Sequence, residues 1–208
     1  MNPTHADRGA HWDMVYANKP ATDVSWHQPQ PELSLKLIRR TMLARDSAII
    51  DVGGGASALA EHLLRDGFSD VSVLDIAASS LGQAQQRLGG DAAGAEWIVV
   101  DVLSWRPTRT FDLWHDRAML HFLTDRDDQA AYANILQSAV RSGGWAIIGG
   151  FAPHGPAQCS GLDVVRHDAS SLRALLGSDF ALMETHGEIH LTPQGREQAF
   201  RFHLFARK

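Results

Sequence analysis

Apolar positions along this chain keep two rhythms in turn. Residues 48–50 (Ala-Ile-Ile) are too apolar for a strand with one wet face, so they predict a central strand covered on both sides. Further strands are predicted at 71–75, 97–100, 111–114 and 145–148, that at 97–100 also buried. Between them the spacing changes to three and four. Leu33, Leu37, Ile38 and Met42 follow Pro31-Glu32; Leu59, Leu63 and Leu64 follow Ala56-Ser57 and stop at Gly67. Leu81, Ala84, Gln85 and Leu88 stop at Gly89-Gly90. Tyr132, Ile135, Leu136, Ala139 and Val140 run from a cap at 124–127 to Ser142-Gly143-Gly144. A last helix near 171–176 and two strands near 180–185 and 200–206, joined by a turn at 192–195, close the pattern. Strand and helix in steady alternation predict an α/β protein.

Residues 1–30 show little periodicity, yet they carry Trp12, Tyr16 and Trp26. They are expected to form an arm ahead of a domain spanning 31–208. Its aromatics could simply pack down on the surface. The preferred reading is a lid that closes over a site.

The chemistry concentrates where the first strand ends, in Asp51-Val52-Gly53-Gly54-Gly55-Ala56-Ser57. Glycines there permit positive φ and let a ligand approach the backbone. The Gly53-x-Gly55-x-x-Ala58 spacing, with Asp75 ~20 residues on, also satisfies the dinucleotide fingerprint. A fixed charge at Asp51 would sit badly beside a pyrophosphate and well beside an ammonium group. A length of 208 residues is also short for a dinucleotide domain joined to a substrate domain.

The stretch 51–57 resembles motif I of the class I S-adenosylmethionine-dependent methyltransferases, acid-x-Gly-x-Gly-x-Gly, with Ser57 in place of the last glycine. Segments 71–75, 98–101 and 111–116 are similar to that family's next motifs, in order. The resemblance implies a Rossmann-like, doubly wound seven-stranded sheet, mostly parallel with an antiparallel C-terminal strand, and S-adenosyl-L-methionine as cofactor. It implies that Asp51, Gly53 and Gly55 hold the methionine half, with Gly54 and Ser57 as further cofactor contacts. Asp75 and its neighbour Ile76 would take the ribose, and Asp101 and Val102 the adenine. Trp26, Trp12 or Tyr16 could face the sulfonium. His115 and Asp116, at the fourth motif, become the catalytic candidates, with His115 also a cofactor contact; His154 is a further possible base. The loop 149–156, with Cys159 and Gly161, is expected to border the acceptor.

Composition narrows the partners. Net charge is −5, and the basic residues lie scattered among acids, so no basic stripe offers itself to nucleic acid. A small-molecule acceptor is expected, with a protein side chain as the alternative. Cys159 is the one cysteine, which excludes an internal disulfide or thiolate cluster and suggests a reducing compartment. No apolar run reaches the length of a membrane span and no signal-peptide pattern opens the chain, so a cytoplasmic location is expected. His186 and His190, in a strand-like stretch, would stand ~13 Å apart, so no metal is expected there. The runner-up functions are an NAD(P)-dependent oxidoreductase and a non-catalytic cofactor-binding regulator.

Overall fold

The computed structural model describes residues 5–208; residues 1–4 of the expected arm lie outside them. Helix α1 (His5–Asn18) and α2 (Glu32–Arg40) precede β1 (Ala48–Val52), α3 (Leu59–Arg65), β2 (Asp70–Asp75), α4 (Ala78–Leu88) and β3 (Ala95–Val99). Then come β4 (Phe111–Arg117), α5 (Arg126–Ala139), β5 (Val140–Phe151) and a small hairpin of β6 (Gln158–Cys159) and β7 (Leu162–Asp163). Helix α6 (Ala169–Leu176) and the long β8 (Phe180–Leu191) and β9 (Glu197–Arg207) complete the chain.

Seven strands form one sheet in the order β3-β2-β1-β4-β5-β9-β8. Strand β9 is antiparallel to both neighbours and every other pairing is parallel. The expected Rossmann-like sheet is therefore present, and its order reverses between β1 and β4, where open α/β sheets gather ligands beyond their strand tips. Ile49 and Ile50 are both fully buried although they point to opposite faces. Ile49 joins Leu37, Leu59, Leu113 and Phe202 on one side; Ile50 joins Trp114, Tyr132, Leu136 and Phe205 on the other. Each such side chain contributes about 1.5–3 kcal/mol relative to exposure, so both helical layers are anchored to the central strands.

Several local expectations needed correction. The stretch 5–18, irregular by its pattern, is helical, and it packs on α4. Met42 leaves the stripe of α2 in a left-handed conformation (φ 52°) and is exposed. Helix α3 starts at Leu59 rather than at 56–57. Strand β3 is an edge strand with Val99 exposed, not a buried one. Asp125, not Thr124, caps α5 by accepting from Asp127 N at 2.8 Å. That helix ends at Ala139, because residues 140–144 already belong to β5. Strands β8 and β9 run several residues beyond their apolar cores, and this overhang reaches the N-terminal segment: His190 Nε2 bonds Ser25 O at 2.7 Å. Among the described residues no helix is long and apolar enough to cross a membrane.

Candidate active site

The tip of β1 shows why glycine is needed. Gly53 (φ 68°) and Gly55 (φ 49°) are left-handed, and a Cβ on Gly53 would lie 2.5 Å from Met119 Cβ. A Cβ on Gly54 would lie 2.6 Å from Asp51 Oδ2, and one on Gly55 3.0 Å from Tyr16 Oη and 3.2 Å from Asp75 Oδ2. Every position in the turn is closed to a larger residue. Beneath it, Asp51 Oδ1 meets His115 Nδ1 at 2.7 Å, and His115 Nε2 meets Ser34 Oγ at 2.9 Å. All three groups are buried. The arrangement copies a Ser-His-Asp relay, but Ser34 Oγ has no access to a substrate, so its effect is to tie α2 to the glycine turn.

One cavity runs along the strand tips. On one wall stand Gly53, Asp75 and Ile76, then Asp101 and Val102. Asp75 Oδ1 accepts from Ala77 N at 2.8 Å, and burial pushes its carboxyl up to about 6. Asp101 Oδ1 accepts from Leu103 N at 2.9 Å, which folds the loop that carries Val102. Met119 and Leu123 close this end with apolar surface.

The other wall grows from the end of β4. Asp116 is fully buried; its Oδ1 accepts from Met119 N (2.8 Å), and its Oδ2 from Leu120 N (3.0 Å) and Tyr132 Oη (2.7 Å). Trp114 Nε1 donates to that same Tyr132 hydroxyl at 2.9 Å. The carboxylate therefore folds residues 117–122 into a tight turn, in which Ala118 is held at φ 72°, a strained value for a residue with a Cβ. The turn points Arg117, His121 and Phe122 into the cavity. Arg117 lies over the Phe200 ring (4.8 Å to its centroid) and donates from Nη1 to Trp26 O at 3.0 Å. Burial pushes the His121 imidazole down to about 3, so it is neutral near pH 7. Phe151, Cys159 and Gln198 complete this end.

Helix α1 lies across the opening. Ser79 Oγ donates to Asp13 at 2.7 Å and Gln83 Nε2 to Tyr16 O at 2.8 Å, while Arg8 pairs with Asp128 on α5. From its inner face Trp12 meets Phe122 and Trp26 edge-on, with centroids 4.9 and 5.7 Å apart, and Trp26 Nε1 donates to Tyr16 Oη at 3.2 Å.

The cavity thus brings together Trp12, Tyr16, Trp26, Gly53, Asp75, Ile76, Asp101, Val102, Phe151 and Cys159 of the sequence-derived set. It does not bring in the others. His115 and Asp116 belong to β4 rather than to a loop beyond it, and their side chains are spent on buried partners. Asp51, Gly54 and Gly55 lie behind the wall. Ser57 is exposed, and its Oγ accepts from Leu59 N, the first residue of α3, at 3.1 Å. His154 and Gly161 are exposed and outside the lining. Pattern reading passed over Arg8, Met119, Gln198 and Phe200 as site residues. Arg117 could have been found, as a charged residue directly after the strand that flanks the switch point.

Residues 49–144 match the family described as a methyltransferase domain. Over that stretch, a little under half of the chain, the protein is similar to methyltransferase domains. No curated protein matches the chain by sequence. Solved structures resemble it at low identity. A methyltransferase from Anabaena variabilis described as S-adenosylmethionine-dependent shares 15% identity over 100% of this chain and 98% of its own (TM-score 0.77). The N-methyltransferase NodS of Bradyrhizobium japonicum, solved with S-adenosylhomocysteine, shares 18% over 94% and 97% (TM-score 0.71). The magnesium protoporphyrin IX methyltransferase ChlM of Synechocystis, solved with S-adenosylmethionine, shares 18% over 96% and 81% (TM-score 0.66). At such identities the likeness is one of fold, and the roles of individual side chains in this chain rest on its own geometry.

Proposed function

We propose that the protein binds S-adenosyl-L-methionine along the tips of β1, β2 and β3 and that a small molecule accepts the methyl group in the adjoining half of the cavity. The observation that carries this reading is a single cavity with strand-end carboxylates, Asp75 and Asp101, along one wall and aromatics, Arg117 and His121 along the other. The residues suit the cofactor. The glycine turn admits no Cβ, a buried carboxylate waits for hydroxyl donors at Asp75, and Ile76, Val102 and Leu123 offer apolar surface to a purine. When bound, the cofactor supplies a methyl group on a sulfonium: a lone pair of the acceptor forms the new bond while the sulfur–methyl bond breaks, its electron pair staying on sulfur as a neutral thioether.

The protein's own task is alignment and exclusion of water, worth on the order of 7–11 kcal/mol for well-oriented groups. We assign His115 and Asp116 to that task as positioning residues, His115 by fixing Asp51 under the glycine turn and Asp116 by folding the 117–122 turn. His121 is too weak a base to deprotonate an acceptor near pH 7, so the acceptor brings its own lone pair. The N-terminal segment, with α1 laid over the opening, serves as a lid. A cytoplasmic setting suits the lone, buried Cys159, whose thiol burial pushes up to about 11.

An NAD(P)-dependent oxidoreductase fits less well, because a pyrophosphate needs free N–H groups at the glycine turn. Here Gly53 N and Gly54 N both donate to Leu74 O, at 2.7 and 3.3 Å. Calorimetry with S-adenosylhomocysteine and with NADH separates the two: binding of the first alone supports the proposal, and binding of NADH alone overturns it. Binding without turnover on any acceptor would point to the regulator.

A further inference from the structure

Arg117 is a half-buried cation with an unfinished set of bonds. Nη1 is satisfied by Trp26 O, whereas Nε and Nη2 are buried and have no hydrogen-bond partner among the described residues. These two N–H groups share one edge of the guanidinium, the edge that pairs side-on with both oxygens of a carboxylate. Leaving such donors dry and unpaired is costly, so the arrangement makes sense with an anion in place. Two further polar groups on this side are also unpartnered: both ring nitrogens of His121, and Gln198 Oε1.

Resting on the proposed methyl transfer, we propose that Arg117 binds the carboxylate of the acceptor, a small carboxylic acid whose apolar or aromatic body lies among Phe122, Phe151, Phe200 and Trp12. Charge supports the assignment. Arg8 also lines the cavity but is paired with Asp128, so the charge balance rests on Arg117 and a bound sulfonium, against which His121 is neutral and Asp51 and Glu188 act on Arg117 only through the field. The acidic strand tips stand at the opposite end, with Asp75 and Asp101. An anion therefore completes the acceptor end and a cation such as a protonated amine is repelled from it. Phe200 stacks beneath the guanidinium and fixes its plane, so the fork is presented in one orientation.

The cofactor's own α-carboxylate is the competing source of that anion, and the experiment distinguishes them. Binding of benzoate, phenylacetate and 3-phenylpropanoate, each beside its uncharged amide, is measured by calorimetry on the full chain saturated with S-adenosylhomocysteine. At least one acid is expected to bind tenfold or more tightly than its amide, and R117M is expected to erase that preference; R117K, which keeps the charge without the fork, should recover part of it. S-adenosylhomocysteine and 5′-methylthioadenosine, which lacks the carboxylate, are titrated into wild type and R117M. Equal affinities in the two proteins support the acceptor assignment. A loss for S-adenosylhomocysteine alone would hand Arg117 to the cofactor and overturn it. So would the absence of any preference for acid over amide in the wild type, a result that needs no variant to fold. Failure of S-adenosylhomocysteine to bind wild type would instead count against the proposed function itself.

Discussion

The two ends of the cavity are built by different means. The end with Asp75 and Asp101 is made by strand tips and the short turns that follow them, so its residues sit at fixed offsets from the ends of β1, β2 and β3. The end with Arg117, His121, Gln198 and Phe200 is assembled from the turn after β4, the overhang of β9 and a helix from the N-terminus. The first is a property of the sheet; the second depends on elements far apart in sequence that meet only in the folded chain. Each end also has its own buried support. Ser34, His115 and Asp51 lie under the glycine turn, and Trp114, Tyr132 and Asp116 lie under the other wall. A scaffold that fixes one end and leaves the other to vary would keep one donor while exchanging acceptors.

Removing a partner from either support tests this division. His115→Ala leaves Asp51 buried without its 2.7 Å partner and is expected to cost about 3–5 kcal/mol of stability by denaturant unfolding. Tyr132→Phe removes one of the donors to Asp116 while Met119 N and Leu120 N remain, so its cost should be smaller, about 1–3 kcal/mol. Affinity for S-adenosylhomocysteine should suffer in the first variant and survive in the second; the reverse would show that the supports have been assigned to the wrong ends.

Asp75 gives the next largest effect and a pH signature. Its carboxyl is held at about 6 in the folded protein, above the ~3.9 of a free aspartate, so between those values the folded state binds more protons and ligand-free stability falls as pH rises. Asp75→Asn should therefore stabilise the ligand-free protein above pH 6 by about 1–3 kcal/mol. If ribose hydroxyls donate to the ionised form, wild-type affinity should weaken as pH drops through about 6, and the Asn variant should lose that dependence. A flat affinity profile in wild type from pH 5 to 8 would contradict the role.

How much could be read beforehand follows the same division. The apolar runs and their order sufficed for the alternation of strand and helix, because buried parallel strands are apolar along most of their length, whereas the seven-stranded topology was implied by the family resemblance. Asp75 and Asp101 were legible since each directly follows such a run. His115 and Asp116 were assigned to the wrong surroundings: the apolar run stops at Trp114, but β4 continues to Arg117 because each of the two polar residues finds its own buried partners, Asp51 and Ser34 for His115, Met119 N, Leu120 N and Tyr132 for Asp116. No local pattern reveals that a histidine will meet Asp51, 64 residues away. Helix α1 was missed because its inner face is aromatic at Trp12 and Tyr16 while Met14 is exposed, which blurs the stripe. Gln198 and Phe200 enter the site only because the β8–β9 hairpin extends past its core.

Smaller effects sharpen the edges of the account. Trp26→Phe deletes the indole N–H that donates to Tyr16 Oη and should cost about 1 kcal/mol while loosening the lid, read as faster amide exchange in α1. Ser57→Ala removes only an exposed acceptor for Leu59 N and should cost no more than about 1 kcal/mol, with cofactor affinity unchanged.

The most direct measurement is calorimetric titration of S-adenosylhomocysteine into the wild-type protein and Asp75→Ala at pH 7.5. One site per chain, weakened at least tenfold by the substitution with the fold intact by circular dichroism, is the expected result. No binding to the wild type, or equal binding to both proteins, would contradict the placement of an adenosine-bearing methyl donor at the strand tips.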